Sequence, residues 1–145
     1  MNFLLDTNVL SEPTRPHPDP EVLAWLAGAD EDEVFISAIT IAELRYGIQR
    51  LTTGKKRAML EDWLQQDLRP RFEDRILPVN AEVADTCGRL IAQSESKGRP
   101  IAVADGYIAA TAVAHGLTLV TRDVSDFEVV VKSIFSPWSR AGAKS

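Results

Sequence analysis

The sequence predicts an α/β fold of three layers, a central parallel sheet of about five strands with helices on both faces. Three observations carry that expectation. Short apolar runs alternate with helical patterns along the whole chain. Glycine and proline clusters punctuate the boundaries between them. No internal repeat or linker divides the 145 residues, which is the length of one ordinary domain. Short strands separated by helices pair in parallel through right-handed crossovers.

The elements follow in order. Phe3-Leu4-Leu5 reads as a short buried strand ended by Asp6. A helix starts there and stops before Pro13, Pro16, Pro18 and Pro20, a cluster that makes a loop. Asp19 before Pro20 reads as an N-cap followed by proline at the first helical position. That helix carries Val22, Leu23, Trp25 and Leu26 and ends at Gly28. Val34-Phe35-Ile36 is the second strand, and Ile39, Ile41, Ala42, Leu44 and Ile48 continue after Ser37 at helical spacing. Thr40 and Glu43 fit a capping box. Gly54 separates this helix from one with Met59, Leu60, Trp63, Leu64 and Leu68.

Arg75 to Val79 is a weaker strand. Asn80 to Ser96 is a helix with Val83, Ala84, Cys87, Leu90 and Ile91 on one face. Lys97 to Pro100 is a turn. Ile101 to Ala114 is a helix rich in small residues, closed by His115-Gly116. Leu117 to Val120 gives the fourth strand and Val129 to Ile134 the fifth. Residues 1–139 are expected to form the domain and 140–145 a flexible tail.

Composition narrows the class. Hydrophobic residues are 45% of the chain and charged residues 26%, which excludes disordered and collagen-like proteins. A chain of this size buries about 70% of its unfolded surface, so it needs no disulfide or zinc. A single cysteine, Cys87, forms no internal disulfide, and no CxxC or Cys/His cluster exists. A cytoplasmic setting fits. The N-terminus carries no basic leader, and no stretch approaches the roughly 20 apolar residues of a membrane span. The net charge of -5 argues against general nucleic-acid binding by a basic surface. It is compatible with an acidic pocket that divalent cations fill.

In parallel α/β folds ligands bind beyond the carboxyl ends of the strands. Asp6 ends the first strand and Asp123 follows the fourth by three residues, so both belong to that edge. Glu43 lies two turns into the helix after the second strand, which begins at the same edge. Asp105 lies about one turn into its helix, and its approach to the edge depends on topology. Clustered carboxylates repel one another and call for a cation. Magnesium and manganese prefer oxygen ligands, and such ions support in-line displacement at phosphorus with no Ser, His or Cys nucleophile. The two histidines, His17 and His115, sit in a proline loop and at a helix end.

Ordinary explanations exist for each acid. Asp6 or Asn8 serves as a helix cap, Glu43 as a solvated helix residue, Asp105 as a partner of the helix dipole, and Asp123 as a turn residue. Arg122 either steadies a phosphate or pairs with a neighbouring acid. Lys55-Lys56-Arg57 reads as a solvated loop, with a phosphate-guiding patch as the alternative. Trp25, Trp63 and Trp138 read as core or interface anchors.

The segments LLDTNVLSE, ISAITIAELRYGI and DGYIAATAVAHGLTLVTRDVSDFE together resemble the PIN-domain family. Within it the chain looks like the VapC-type toxins of type II toxin–antitoxin pairs, and the resemblance covers nearly the whole chain in the right order. It implies a PIN-like three-layer fold and an endoribonuclease dependent on Mg2+ or Mn2+. It implies that Asp6, Glu43 and Asp105 are the family's acids and bind the metal. The position after the fourth strand is often Asn in these toxins. Here it is Asp123, which supplies a fourth catalytic carboxylate, with Asp126 a further candidate. Thr7, Asn8 and Thr121 look like supporting polar residues that orient the acids or ligand water. The implied reaction is hydrolysis of an RNA phosphodiester by a metal-activated water. The implied partners are the RNA substrate, a cognate protein antitoxin and a second copy in a homodimer, with no membrane involved. Two other readings stand beside it: a receiver-like phospho-acceptor domain, for which only Lys132 offers a lysine near the fifth strand, and a catalytically silent PIN-fold interaction protein.

Overall fold

A computed structural model describes residues 1–138. The expected tail, residues 140–145, lies outside the described residues. The sheet has five strands: β1 (Phe3–Leu5), β2 (Val34–Ser37), β3 (Ile76–Leu77), β4 (Thr118–Val120) and β5 (Ile134–Phe135). They are ordered β3-β2-β1-β4-β5, and every pairing is parallel. The order reverses at β1, which lies at the centre with β2 on one side and β4 on the other.

The three layers follow from strand geometry. Successive side chains of a strand point to opposite faces. Leu5 and Val120 therefore enter one apolar cluster, with Val9, Val22, Ile36, Leu44, Leu64 and Phe72. Leu4 and Leu119 enter the other, with Val83, Cys87, Ile108 and Phe127. All four of these strand leucines and valines are fully buried. The first cluster is covered by α1 (Thr7–Ser11), α2 (Pro20–Gly28), α3 (Ala38–Gln49) and the helical stretch beginning with α4 (Lys55–Asp62). The second is covered by α6 (Ala81–Ser96) and α7 (Val103–His115). A single helix is expected from Met59 to Leu68; in the structure Trp63–Leu68 is π-helical, and the short α5 (Arg69–Arg71) continues it. A final short helix, α8 (Val124–Phe127), follows β4.

Three local expectations are corrected. The fifth strand occupies Ile134–Phe135 rather than Val129 to Ile134. Val130 N and Val131 N instead donate to the Phe127 carbonyl, so this apolar run turns after α8 and buries Val129 and Val131 without pairing. The capping box of Thr40 and Glu43 is not formed. Ser37 caps α3 through its hydroxyl, which accepts from Ile39 N at 3.0 Å. The last helix before β4 begins at Val103, not Ile101. The apolar residues of α3 also separate: Leu44 and Ile48 are core, while Tyr46 is 65% exposed.

Helix α7 joins β4 through Gly116, whose φ of 65° is the left-handed conformation that glycine adopts without strain. A helix that turns directly into a parallel strand runs antiparallel to it. The start of α7 therefore lies at the carboxyl edge of the sheet, which brings Asp105 there.

Close contact of α6 with α7 depends on Gly106. A Cβ at that position falls 2.9 Å from Ile91 Cγ1 and 3.2 Å from Cys87 Sγ. Gly106→Ala is expected to destabilise the protein by about 1–3 kcal/mol, the usual cost of overpacking. Urea denaturation measures this, and an unchanged midpoint would contradict so close an approach. Combining it with Ile91→Ala should recover part of the loss.

Candidate active site

The site is built on three consecutive residues at the end of the central strand. Each of them clasps a different segment. Asp6 is 5% exposed; its Oδ1 accepts from Thr7 N and its Oδ2 from the Thr121 hydroxyl, each at 2.8 Å. The Asp6 amide donates to the Val120 carbonyl at 2.9 Å, so the ladder to β4 continues into the site. Thr7 reaches the other way: its hydroxyl donates to Glu43 Oε1 at 2.5 Å and lies 3.2 Å from Thr40 Oγ1. Asn8 uses both ends of its amide. Nδ2 donates to Asp123 Oδ2 at 3.1 Å, and Oδ1 accepts from Arg122 N at 3.4 Å.

The neighbours complete the arrangement. Thr121 is fully buried and accepts from Asp123 N at 3.0 Å while donating to Asp6. One hydroxyl thus fixes two acids. Asp105 comes from the first turn of α7 and is half-buried. Asp126, on α8, is exposed and lines a cleft together with Asp105. Arg122 Nε stands 3.8 Å from Asp123 Oδ1, with both side chains nearly half exposed, so this ion pair is weak. Its guanidinium also stacks over the Trp138 ring at 5.6 Å.

The electrostatics follow from this placement. The Asp6 carboxyl is pushed up to about 6, first by burial and then by Asp105 and Glu43, against the lowering effect of Thr121 and Thr7. Burial also raises Asp105, with further contributions from Glu43, Asp126 and Asp123. Among the described residues no ion pair reaches Asp6, Glu43 or Asp105. The repulsion is therefore not offset by the protein's own cations.

A divalent cation fits this donor set. The ligating atoms on offer are hard carboxylate oxygens, which magnesium and manganese favour. Among the described residues no three Asp, Glu, His or Cys side chains already stand at ligating distance around one point. Magnesium commonly takes one or two carboxylates and keeps several waters, so it does not require such a cage.

The structure brings Asp6, Glu43, Asp105 and Asp123 to one edge. Thr40, fully buried beside Thr7, is the polar neighbour that the sequence misassigned to a helix cap. The stacking of Trp138 on Arg122 had no sequence signal, because it joins two residues separated by β5.

The PIN-domain family model matches residues 3–132. The chain belongs to the PIN-domain family, a membership that decides against the receiver-like alternative. It is similar to Toxin FitB of Neisseria gonorrhoeae, at 47% identity over 94% of this chain and 98% of that one. It is also similar to VapC ribonuclease Y4jK of Sinorhizobium fredii, at 42% identity over 96% and 99%. The crystal structure of FitAcB from Neisseria gonorrhoeae superposes with a TM-score of 0.89, at 46% identity over 94% of this chain and 98% of that one. Within the family, the chain groups with the VapC-type toxins of toxin–antitoxin systems.

The raised Asp6 has a consequence for stability. An acid whose folded value exceeds its ordinary 3.8 favours the folded state while protonated. That contribution is fully present below the ordinary value and is lost as pH rises through about 6. In chelator, Asp6→Asn is expected to be more stable than the parent protein above neutral pH, by about 1–3 kcal/mol. The two should converge at low pH. Paired urea melts across this range measure the difference, and a pH-independent offset would contradict the assignment to Asp6.

Proposed function

We propose that this protein is a metal-dependent endoribonuclease that acts as the toxin of a toxin–antitoxin pair. One observation carries the reading: four carboxylates on four separate segments meet at the carboxyl edge of the sheet, two of them held by Thr7 and Asn8 beside Asp6. A helix cap or a solvated surface residue has no use for such convergence. The relatives named as a toxin and as a ribonuclease agree with it.

In this reading Asp6, Glu43, Asp105 and Asp123 hold Mg2+ or Mn2+. A bound ion would acidify water and stabilise negative charge developing at the phosphate. The chain's own residues do the positioning. Thr121 and the Thr7 amide fix both oxygens of Asp6, the Thr7 hydroxyl fixes Glu43, and Asn8 fixes Asp123. Asp126 faces Asp105 electrostatically and is a reserve ligand. Arg122, at the rim, is placed to steady a phosphate. RNA is the substrate, a cognate protein antitoxin covers the acidic edge, and a second copy completes a homodimer. Among the described residues no helix is long and apolar enough to cross a membrane.

Asp105→Asn and Asp6→Asn are expected to remove RNA cleavage while circular dichroism stays native. Excess chelator should do the same to the parent protein. Full activity of either folded variant, or undiminished cleavage in chelator, would sink the reading in favour of a silent PIN fold.

Thr7→Val tests positioning. Loss of a residue that orients a ligand typically costs about 10–100-fold in activity. Turnover of a defined RNA oligonucleotide should fall by that amount, and an unchanged rate would remove Thr7 from the site.

A further inference from the structure

The turn between α6 and α7 is held more firmly than an exposed connection requires. Ser94 is fully buried, and its hydroxyl accepts from Ile101 N at 3.2 Å. The Ser94 carbonyl accepts from Arg99 N at 2.9 Å. Gly98 reverses the chain with a φ of 71°. Lys97 Nζ donates to the Val129 carbonyl at 3.0 Å. These contacts fix the backbone of Arg99, and its guanidinium donates to the carbonyl of Ser125 in α8.

Between this turn and α8 lies an open cleft of about 280 Å³. Pro100, Ile101 and Ala102 contribute apolar surface to it, beside the polar Ser125 and Asp126. Asp105 lines it too, so the cleft is continuous with the acid cluster. Arg99 is the one basic residue among the described residues that line it. A guanidinium has five N–H donors in a planar fork. The Ser125 carbonyl engages one nitrogen, and Glu128 stands 3.8 Å away, beyond hydrogen-bond distance. Both members of that ion pair are half exposed, so it is readily exchanged for a better partner. The remaining donors match the oxygens of a phosphate.

We propose that this cleft is a nucleotide subsite for single-stranded RNA. In it Arg99 holds the phosphate next to the one that is cut, and the Pro100–Ile101 surface packs against that nucleotide. The inference rests on the ribonuclease reading above. The turn supplies a cation to the cleft that Asp105 also lines, where no other basic residue stands among the described residues.

Substrate length separates this role from a structural one. For an RNA oligonucleotide of about 12 residues, Arg99→Ala is expected to raise KM about tenfold with kcat little changed, the worth of one charge-assisted hydrogen-bond pair. A dinucleotide without the flanking phosphate should be cut equally well by both proteins. Arg99→Lys should recover part of the loss, since it keeps the charge without the fork. Binding gives a readout without catalysis. In the Asp105→Asn background, fluorescence anisotropy with the labelled oligonucleotide should show weaker affinity when Arg99 is also Ala. The slope of log affinity against log salt should fall by about 0.7, the value for one phosphate contact on a single strand. Equal KM and equal affinity in the folded Arg99→Ala protein overturn the subsite while leaving the ribonuclease reading intact. A loss of the same size on the dinucleotide also overturns it, because the effect is then on the scaffold. Absence of both cleavage and binding in the parent protein overturns the two together.

Discussion

The structure depends on three successive residues at the end of its central strand. β1 is the strand at which the sheet order reverses, so the chain leaving it emerges between the segments that follow β2 and β4. Asp6 takes the hydroxyl of Thr121 from the β4 side, Thr7 takes Glu43 from the helix after β2, and Asn8 takes Asp123 and the amide of Arg122. Residues more than a hundred positions apart are joined through side chains that are adjacent in the chain. The hydrogen bonds have a net worth of only about 1 kcal/mol each, more where a charge takes part. Their weight lies in geometry, because they fix acids that would otherwise turn away from one another.

The same contacts work against the acids' mutual repulsion. Burial of Asp6 outweighs the two hydrogen bonds it accepts, and its proton is held more tightly than an exposed carboxyl would hold it. Asp105 is raised in the same direction. No lysine or arginine among the described residues pairs with either. A fold selected for stability alone would place a cation or an apolar side chain there. The cluster is understandable as a site whose charge is balanced from outside, by a divalent ion and by the polar contacts of a substrate. The cations near it are at the margins: Arg122 over Trp138, and Arg99 on its braced turn.

Where the sequence misled, the cause was tertiary competition. The run from Val129 to Ile134 has the composition of a buried strand. Its start turns after α8 and buries Val129 and Val131, leaving only Ile134 to pair with β4. Thr40 and Glu43 have the spacing of a capping box, but Ser37 already caps α3 by accepting from Ile39 N. Their side chains are then available to Thr7, the first residue of α1. Local rules gave most of the elements, misplaced the last strand, and did not give the long-range partners.

The sequence by itself determined the alternation of strands and helices, the parallel sheet, and the candidate acids. These are written in short-range patterns: apolar periodicity, prolines and glycines at the boundaries, and motifs a few residues long. The placement of Asp105 was not among them, because a helix position says nothing about which end of the sheet it meets. Only the tertiary structure decided that, through the tight turn from α7 into β4. It also decided that Asp6, Thr7 and Asn8 each reach a different segment, and that Arg99 and Trp138 belong to the surroundings of the site. Those contacts join residues far apart in the chain, and their geometry exists only once the sheet has brought the segments together.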